Sequence, residues 1–347
     1  MRAAVLTDWD GDLSVESVPK PEPAPGTLRV AVRACGVTRT IENAIQGGLS
    51  DDQSHLPRIP GHEFAGVVDA VGEGVRGFAE GDRVFAYFYL TCGACDACRR
   101  GEANQCTEFG GWYGVNRDGA YAEYATLPVE NALPLSDDLS FAAGAVAADG
   151  LATPLRVCDR AGVSDDDVVL VIGAAGRIGI HLAQLAEARG AHVLAADVHE
   201  SRLDHVAAHT GPGVVPIDVS GASATETVRR ATPHREGPTV AVDTVGDVET
   251  MAAAWDALDM GGRLVTLTTH HERSFAPPLE EFVVKEAEIA GNRYATRDQT
   301  VRAARLLADG RVDPVVRRKI GLDELTTVHE EIRTGDTFGM TVLEPQE

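Results

Sequence analysis

The sequence predicts a two-domain α/β protein, a β-rich N-terminal domain followed by a doubly wound parallel sheet. Three observations predict it. At 347 residues the chain exceeds the usual reach of one hydrophobic core. Its first part sets short β-branched runs between Gly and Pro, as closely spaced strands require. From Val168 onward, apolar runs of strand length alternate with stretches at helical period, the pattern of parallel strands joined by helical crossovers.

Composition narrows the partners. With 44% hydrophobic and 24% charged residues the chain has the make-up of an ordinary globular protein. A net charge of -22 argues against nucleic acid or an anionic membrane, both of which need a basic face, and leaves a small-molecule substrate. No apolar run reaches membrane-spanning length, and Met1-Arg2-Ala3-Ala4-Val5-Leu6 lacks the long apolar core of a signal peptide, so a cytoplasmic location is expected. Of the 31 basic residues only Lys20, Lys285 and Lys319 are lysine, a bias that suits either a salt-adapted protein or a GC-rich genome.

Taken in order, Ala3 to Leu6 and Leu28 to Val32 read as strands joined by a connection carrying Pro19, Pro21, Pro23 and Pro25. Cys35 to Asn43 reads as a turn into a short helix. The stretch Pro60-Gly61-His62-Glu63-Phe64-Ala65-Gly66 then sets an imidazole and a carboxylate side by side in apolar surroundings. Burying that pair is costly unless both groups are engaged, by a metal or in proton chemistry.

Four of the six cysteines lie together. Cys92, Cys95 and Cys98, completed by Cys106 after a gap of seven residues, form a set able to wrap one tetrahedral ion. In a reducing compartment the clustering reads as metal binding rather than disulfides. Four thiolates leave no open position, so the ion is expected to be structural zinc holding a loop, residues 91–107.

Leu139 to Ala161 reads as helix; on the residues alone, Asp149 within it is a surface acid. Val168 to Ile172 is a continuous apolar strand that feeds Gly173-Ala174-Ala175-Gly176-Arg177-Ile178-Gly179, then a helical stretch, then a strand His192 to Asp197 that ends in an acid. Strand, glycine turn, helix, strand is the setting of a dinucleotide. The glycines admit the pyrophosphate to the backbone, the helix N-terminus offers unpaired N–H groups, and an acid about 20 residues on receives the ribose hydroxyls. Gly173, Gly176, Arg177, Ile178 and Asp197 are the candidate residues. Asp197 would repel a 2′-phosphate, favouring NAD, while Arg202 close behind it keeps NADP as the alternative. Strands at Thr239 to Asp243 and Arg263 to Leu267 continue the sheet, the alternation changes around Glu286 to Gly291, and helices near Thr300 to Asp309 and Leu322 to Thr334 precede a closing strand at Gly339 to Leu343. The expected domains are 1–150, 151–288 and a return of 289–347 to the first.

With these pieces in this order the sequence resembles the zinc-containing alcohol dehydrogenases of the medium-chain dehydrogenase/reductase family over essentially its whole length. The matching motifs are Gly61-His62-Glu63 with Gly66, Gly81-Asp82-Arg83-Val84, the four-cysteine lobe, the glycine turn with Asp197, and Leu306 to Val312. The resemblance implies a GroES-like catalytic domain, a Rossmann domain, an active site in the cleft between them, and assembly as a homodimer or homotetramer.

It also implies site residues. A catalytic zinc in such enzymes is held by a Cys, by the His of Gly-His-Glu, and by an acid or Cys ahead of the Rossmann domain; these fall on Thr38, His62 and Asp149. Threonine is a far poorer zinc ligand than a thiolate. Cys35 lies three residues too early to replace it, and Glu63 is the residue placed to compensate. Thr40 matches the hydroxyl that passes the substrate proton and Arg39 a position near the pyrophosphate. Ile41 replaces a usual Asp, Asn43 sits where several relatives have a relay histidine, and Phe88 matches a substrate-pocket aromatic. The expected activity is NAD-dependent hydride transfer between nicotinamide and an alcohol or ketone. Two alternatives stand beside it: reduction of an activated C=C bond (an enone or enoyl thioester) with structural zinc only, and nucleotide binding without turnover.

Overall fold

The structure is a computed structural model that describes residues 1–50, 52–221, 223–233, 236–268, 273–335 and 337–346. The chain divides into two compact units, Met1–Gly150 with Thr296–Gly310 and Val316–Glu347, and Leu151–Ala295 with Arg311–Val315.

The first unit is built on the long strand Thr27–Val37, the centre of a seven-stranded sheet. On one side it pairs antiparallel with Phe64–Val71, Cys35 opposite Phe64; on the other with Met340–Leu343, Leu343 opposite Cys35. The strand is buried at Val30, Val32 and Ala34 and exposed at Arg33, the alternation of a sheet with a core face. Two side-chain-free positions set local geometry. A Cβ on Gly66 would lie 2.2 Å from the Ala31 carbonyl oxygen of the partner strand. One on Gly36 would lie 2.5 Å from Glu63 Oε1, so the absence of a side chain at 36 is what gives the Glu63 carboxylate its place.

The second unit carries a six-stranded parallel sheet in the order Val214–Asp218, His192–Asp197, Val168–Ile172, Val240–Asp243, Arg263–Thr266, Glu288–Gly291. Chain order is therefore 3-2-1-4-5-6 across the sheet, the doubly wound dinucleotide-binding arrangement. The central run Val168 to Val171 is buried throughout, as a strand covered on both faces must be. The two outermost strands are the ones whose residues do not announce them: Val214–Asp218 contains Pro216, tolerated at an edge, and Glu288–Gly291 has no fully buried residue. This last strand lies where the alternation of the sequence changes, so the second unit runs to Ala295 rather than 288.

The helix read over Leu139 to Ala161 is interrupted. Helices Phe141–Ala145 and Ala152–Ala161 flank a π-helical turn, Val146–Leu151, that contains Asp149. Wide turns of this kind re-aim side chains and recur at functional sites. Asp149 is buried at 6% exposure, which corrects its reading as a surface acid. Among the described residues no helix is long and apolar enough to cross a membrane.

Candidate active site and metal centres

The cysteine lobe folds around the short helix Asp96–Arg99 and the 3-10 turn Ala103–Gln105, which bring four thiols together. The Sγ···Sγ distances are 3.5 Å for Cys92–Cys106, 3.9 Å for Cys95–Cys106 and 4.0 Å for Cys92–Cys98. A tetrahedral ion with Zn–S bonds of about 2.3 Å sets its sulfurs about 3.8 Å apart, so the donor set fits zinc. Backbone N–H groups of Cys92 and Cys95 donate to Cys106 Sγ and Cys92 Sγ at 3.3 and 3.2 Å. The Cys98 and Thr107 amides lower the Cys95 thiol to about 5, whereas burial, then hydrogen bonding with Cys95 and Cys106, pushes Cys98 up to about 12. Four thiolates this close need a cation to ionise together.

The second cluster forms at the start of the strand Phe64–Val71. Gly61 has φ +97, and a Cβ there would meet the Tyr121 ring at 2.5 Å. The turn this permits delivers His62 and Glu63 into the interior, at 1% and 0% exposure. His62 Nε2 lies 3.5 Å from Asp149 Oδ2, presented by the π-helical turn, and candidate ligand atoms of His62, Glu63 and Asp149 all lie within 4.8 Å of one another. Two donors on one tetrahedral ion at about 2.05 Å would stand about 3.3 Å apart, so this donor set also fits a divalent metal. The Phe88 ring lies against the His62 ring at 4.2 Å between centroids.

Thr38 and Cys35 lie outside that group of three. The Thr38 hydroxyl accepts from the Ile41 amide at 3.1 Å and caps the helix Arg39–Ile45. Cys35, buried in the strand, keeps its proton, because burial and then the Glu63 charge hold its thiol well above the ordinary value. Thr40 is half-buried on the capped helix, and the exposed Arg39 donates its guanidinium to the Ile332 carbonyl.

In the second unit, Gly173 has φ +75, and both its N–H and that of Ala174 donate to the Ala196 carbonyl at 3.0 Å. A Cβ on Gly179 would stand 2.2 Å from the Gly173 carbonyl oxygen, so this glycine lets the helix Arg177–Ala188 start against the turn. Gly176 caps that helix with no side-chain hydrogen bond, and the Arg177 and Ile178 end is a helix N-terminus, whose dipole favours an anion. The Asp197 carboxylate accepts from the Ala175 amide of the turn at 3.2 Å and from Val198 at 2.9 Å. Arg202 is half-buried on the following helix, Glu200–Ala208.

Residues 24–137 match the alcohol dehydrogenase GroES-like domain and residues 178–309 the zinc-binding dehydrogenase domain. L-threonine 3-dehydrogenase of Idiomarina loihiensis is 32% identical over 83% of either chain. The chain belongs to the zinc-type alcohol dehydrogenases of the medium-chain family. This zinc-type dehydrogenase is also 29% identical to acryloyl-coenzyme A reductase of Metallosphaera sedula over 99% of each chain. It superposes on the crystal structure of an NAD-dependent alcohol dehydrogenase with TM-score 0.90, at 30% identity over 99% of both chains. Like these relatives it is an oxidoreductase with a GroES-like unit and a Rossmann-type unit.

Sequence reading missed one group around this site. Glu42, Tyr121 and His329 are buried and joined by side-chain hydrogen bonds, although Tyr121 and Glu42 stand 208 and 287 residues from His329. No motif spacing signals a contact so distant in sequence.

Proposed function

We propose that this dehydrogenase transfers hydride between NAD and an alcohol or ketone at a metal site made by His62, Asp149 and Glu63. The observation that carries the reading is the convergence of two buried carboxylates and a buried imidazole within 4.8 Å. Carboxylates buried this close are costly without a cation between them. Glu63 stands in for the missing thiolate, in the place left for it by Gly36. When bound, zinc would supply Lewis-acid polarisation of the substrate oxygen and the nicotinamide would exchange the hydride. Phe88 covers the His62 ring and keeps water from it. Thr40 passes the substrate proton, the Arg177–Ile178 helix end binds the pyrophosphate, and Asp197 receives the ribose hydroxyls. The support for NAD over NADP is the place of Asp197 at the end of the strand after the glycine turn, where its charge would repel a 2′-phosphate; Arg202 is the residue that would serve one.

The test is zinc per chain in the protein as purified, followed by cofactor turnover with alcohols and ketones. About two zinc per chain and turnover support the reading. One zinc per chain, with reduction of enones or enoyl thioesters instead, supports the second reading: an activated C=C reductase retaining only the cysteine-bound ion. That second reading draws on the Thr38 hydroxyl being used as a helix cap and on the similarity to acryloyl-coenzyme A reductase. Self-association as a homodimer or homotetramer belongs to the same proposal. It is supported by the outer strand Glu288–Gly291, at the sheet edge, and by the exposed Leu279, Val283 and Val284 on the helix before it. A cytoplasmic setting agrees with six free cysteines.

A further inference from the structure

We propose that Tyr121, gripped from behind by His329 and Glu42, is the positioning residue that sets the Thr38–Thr40 turn against the His62–Glu63 stretch.

Tyr121 touches both sides of the site. Its backbone N–H donates to the Pro60 carbonyl at 2.9 Å, the Ala120 N–H donates to Gly61 at 2.9 Å, and its ring fills the space that a Gly61 side chain would need. Its hydroxyl stands 3.2 Å from His329 Nε2, which is tied through Nδ1 to Glu42 of the helix that carries Arg39 and Thr40, and the Thr38 backbone N–H at the head of that helix is near enough to act on the phenol oxygen. One side chain therefore spans the turn that delivers His62 and the turn that delivers Thr40.

The hydroxyl is oriented by a directed chain of hydrogen bonds. His329 Nε2 stands 3.2 Å from the Tyr121 oxygen and His329 Nδ1 stands 2.9 Å from Glu42 Oε2. Arg333 Nε and Gln46 Nε2 donate to Glu42 Oε1 at 2.8 and 2.7 Å. Burial pushes the Glu42 carboxyl up, but the His329 and Arg333 hydrogen bonds outweigh it and hold the carboxyl below its ordinary range. As an anion Glu42 can only accept, so Nδ1–H of His329 is the donor of that pair, and Nε2 is the atom that faces the phenol oxygen. A phenylalanine at 121 would fill nearly the same volume and leave His329 Nε2, and the nearby Thr38 amide, facing no oxygen.

The grip comes from the helix Leu325–Thr334, which also accepts the Arg39 guanidinium at Ile332. A C-terminal helix without a residue in either metal cluster thus determines how the Thr40 turn stands beside His62. Displacements of about 1 Å in such a turn can cost about 100-fold in rate.

This inference rests on the reading that the His62 site turns over, and the test separates the two. Tyr121→Phe, His329→Asn and His329→Gln are compared with wild type for kcat, KM, NADH affinity, zinc per chain and Tm. The Gln side chain reaches Tyr121 and not Glu42; Asn reaches Glu42 and not Tyr121. Tyr121→Phe and His329→Asn are expected to lower kcat about tenfold or more, with NADH affinity and zinc content unchanged. His329→Gln should recover most of the rate, and Tyr121→Phe/His329→Asn should be no slower than Tyr121→Phe alone. Variants that lose Tm but keep kcat within about twofold of wild type would overturn the proposal, leaving the chain as packing. Equal rates in the Asn and Gln variants overturn it too. Where a His329 variant fails to fold, Tyr121→Phe, one oxygen smaller, decides alone. A wild type that turns over no alcohol, carbonyl or enone overturns the functional reading and this one with it.

Discussion

His62 Nε2 and Asp149 Oδ2 stand 3.5 Å apart in the interior, one on a glycine turn before a strand and the other on a π-helical turn. If they share an ion, Asp149→Asn removes a charged ligand and does more than loosen the imidazole. We expect zinc to fall from about two to about one per chain and kcat/KM to drop by more than the roughly 10–100-fold typical of an outer-shell change. Two zinc per chain in the variant, with activity near wild type, would remove Asp149 from the metal.

Thr38→Cys tests the missing thiolate in the opposite direction. A cysteine here supplies the thiolate that the resemblance expects at this position, while the lost hydroxyl cap on the Ile41 amide costs about 1 kcal/mol. The expected outcome is a slightly lower Tm and slower loss of the second zinc to a chelator. Unaltered chelator kinetics would mean that residue 38 does not face the metal.

What was legible follows from how local each feature is. The four cysteines, the glycine turn and its acid lie within short sequence windows whose spacing carries the chemistry, and the structure places each set together. Asp149 reads as a surface acid from helical period alone, which assigns it no special direction; the resemblance marks it as a ligand, and the π-helical turn that carries it has it buried. The strand Glu288–Gly291 was missed because an edge strand need not be apolar. Glu42, Tyr121 and His329 were missed because no local pattern encodes a contact made only by the return of the C-terminal helix.

Asp167 contributes to the acid stability of the second unit. Burial raises its carboxyl, but the Thr239 hydroxyl at 2.7 Å, the Ser164 amide and the Arg263 guanidinium at 2.7 Å outweigh it, so the folded value lies below the ordinary 3.8. A depressed folded value means stability present above the unfolded pKa and lost as pH falls through the folded one. Stability should therefore decline below about pH 4, and Asp167→Asn should be less stable at pH 7 by about 1–3 kcal/mol with a shallower acid limb. Urea melts at several pH values check this; parallel acid limbs for wild type and variant would show that Asp167 carries no linkage.

Gly179→Ala strikes the dinucleotide turn without touching any charge. The added methyl would stand 2.2 Å from the Gly173 carbonyl oxygen and 2.7 Å from Ala174 Cα, both backbone atoms with no rotamer to escape by. The helix Arg177–Ala188 must move off the turn, and the N–H groups at its start move with it. We expect NADH affinity to fall at least tenfold, about 1.4 kcal/mol, while the cysteine-bound zinc of the other unit is retained. Asp197→Ala removes the acid proposed for the ribose together with its bond to the Ala175 amide of the turn; with the ribose role, the loss should fall on NAD and spare NADP. Fluorescence titration with both cofactors separates the two variants. Equal losses for NAD and NADP in Gly179→Ala, against a selective loss in Asp197→Ala, are what a shared pyrophosphate cradle and a specific ribose acid require; a uniform loss in both would place Asp197 in the turn's architecture, through its bond to Ala175, rather than on the ribose.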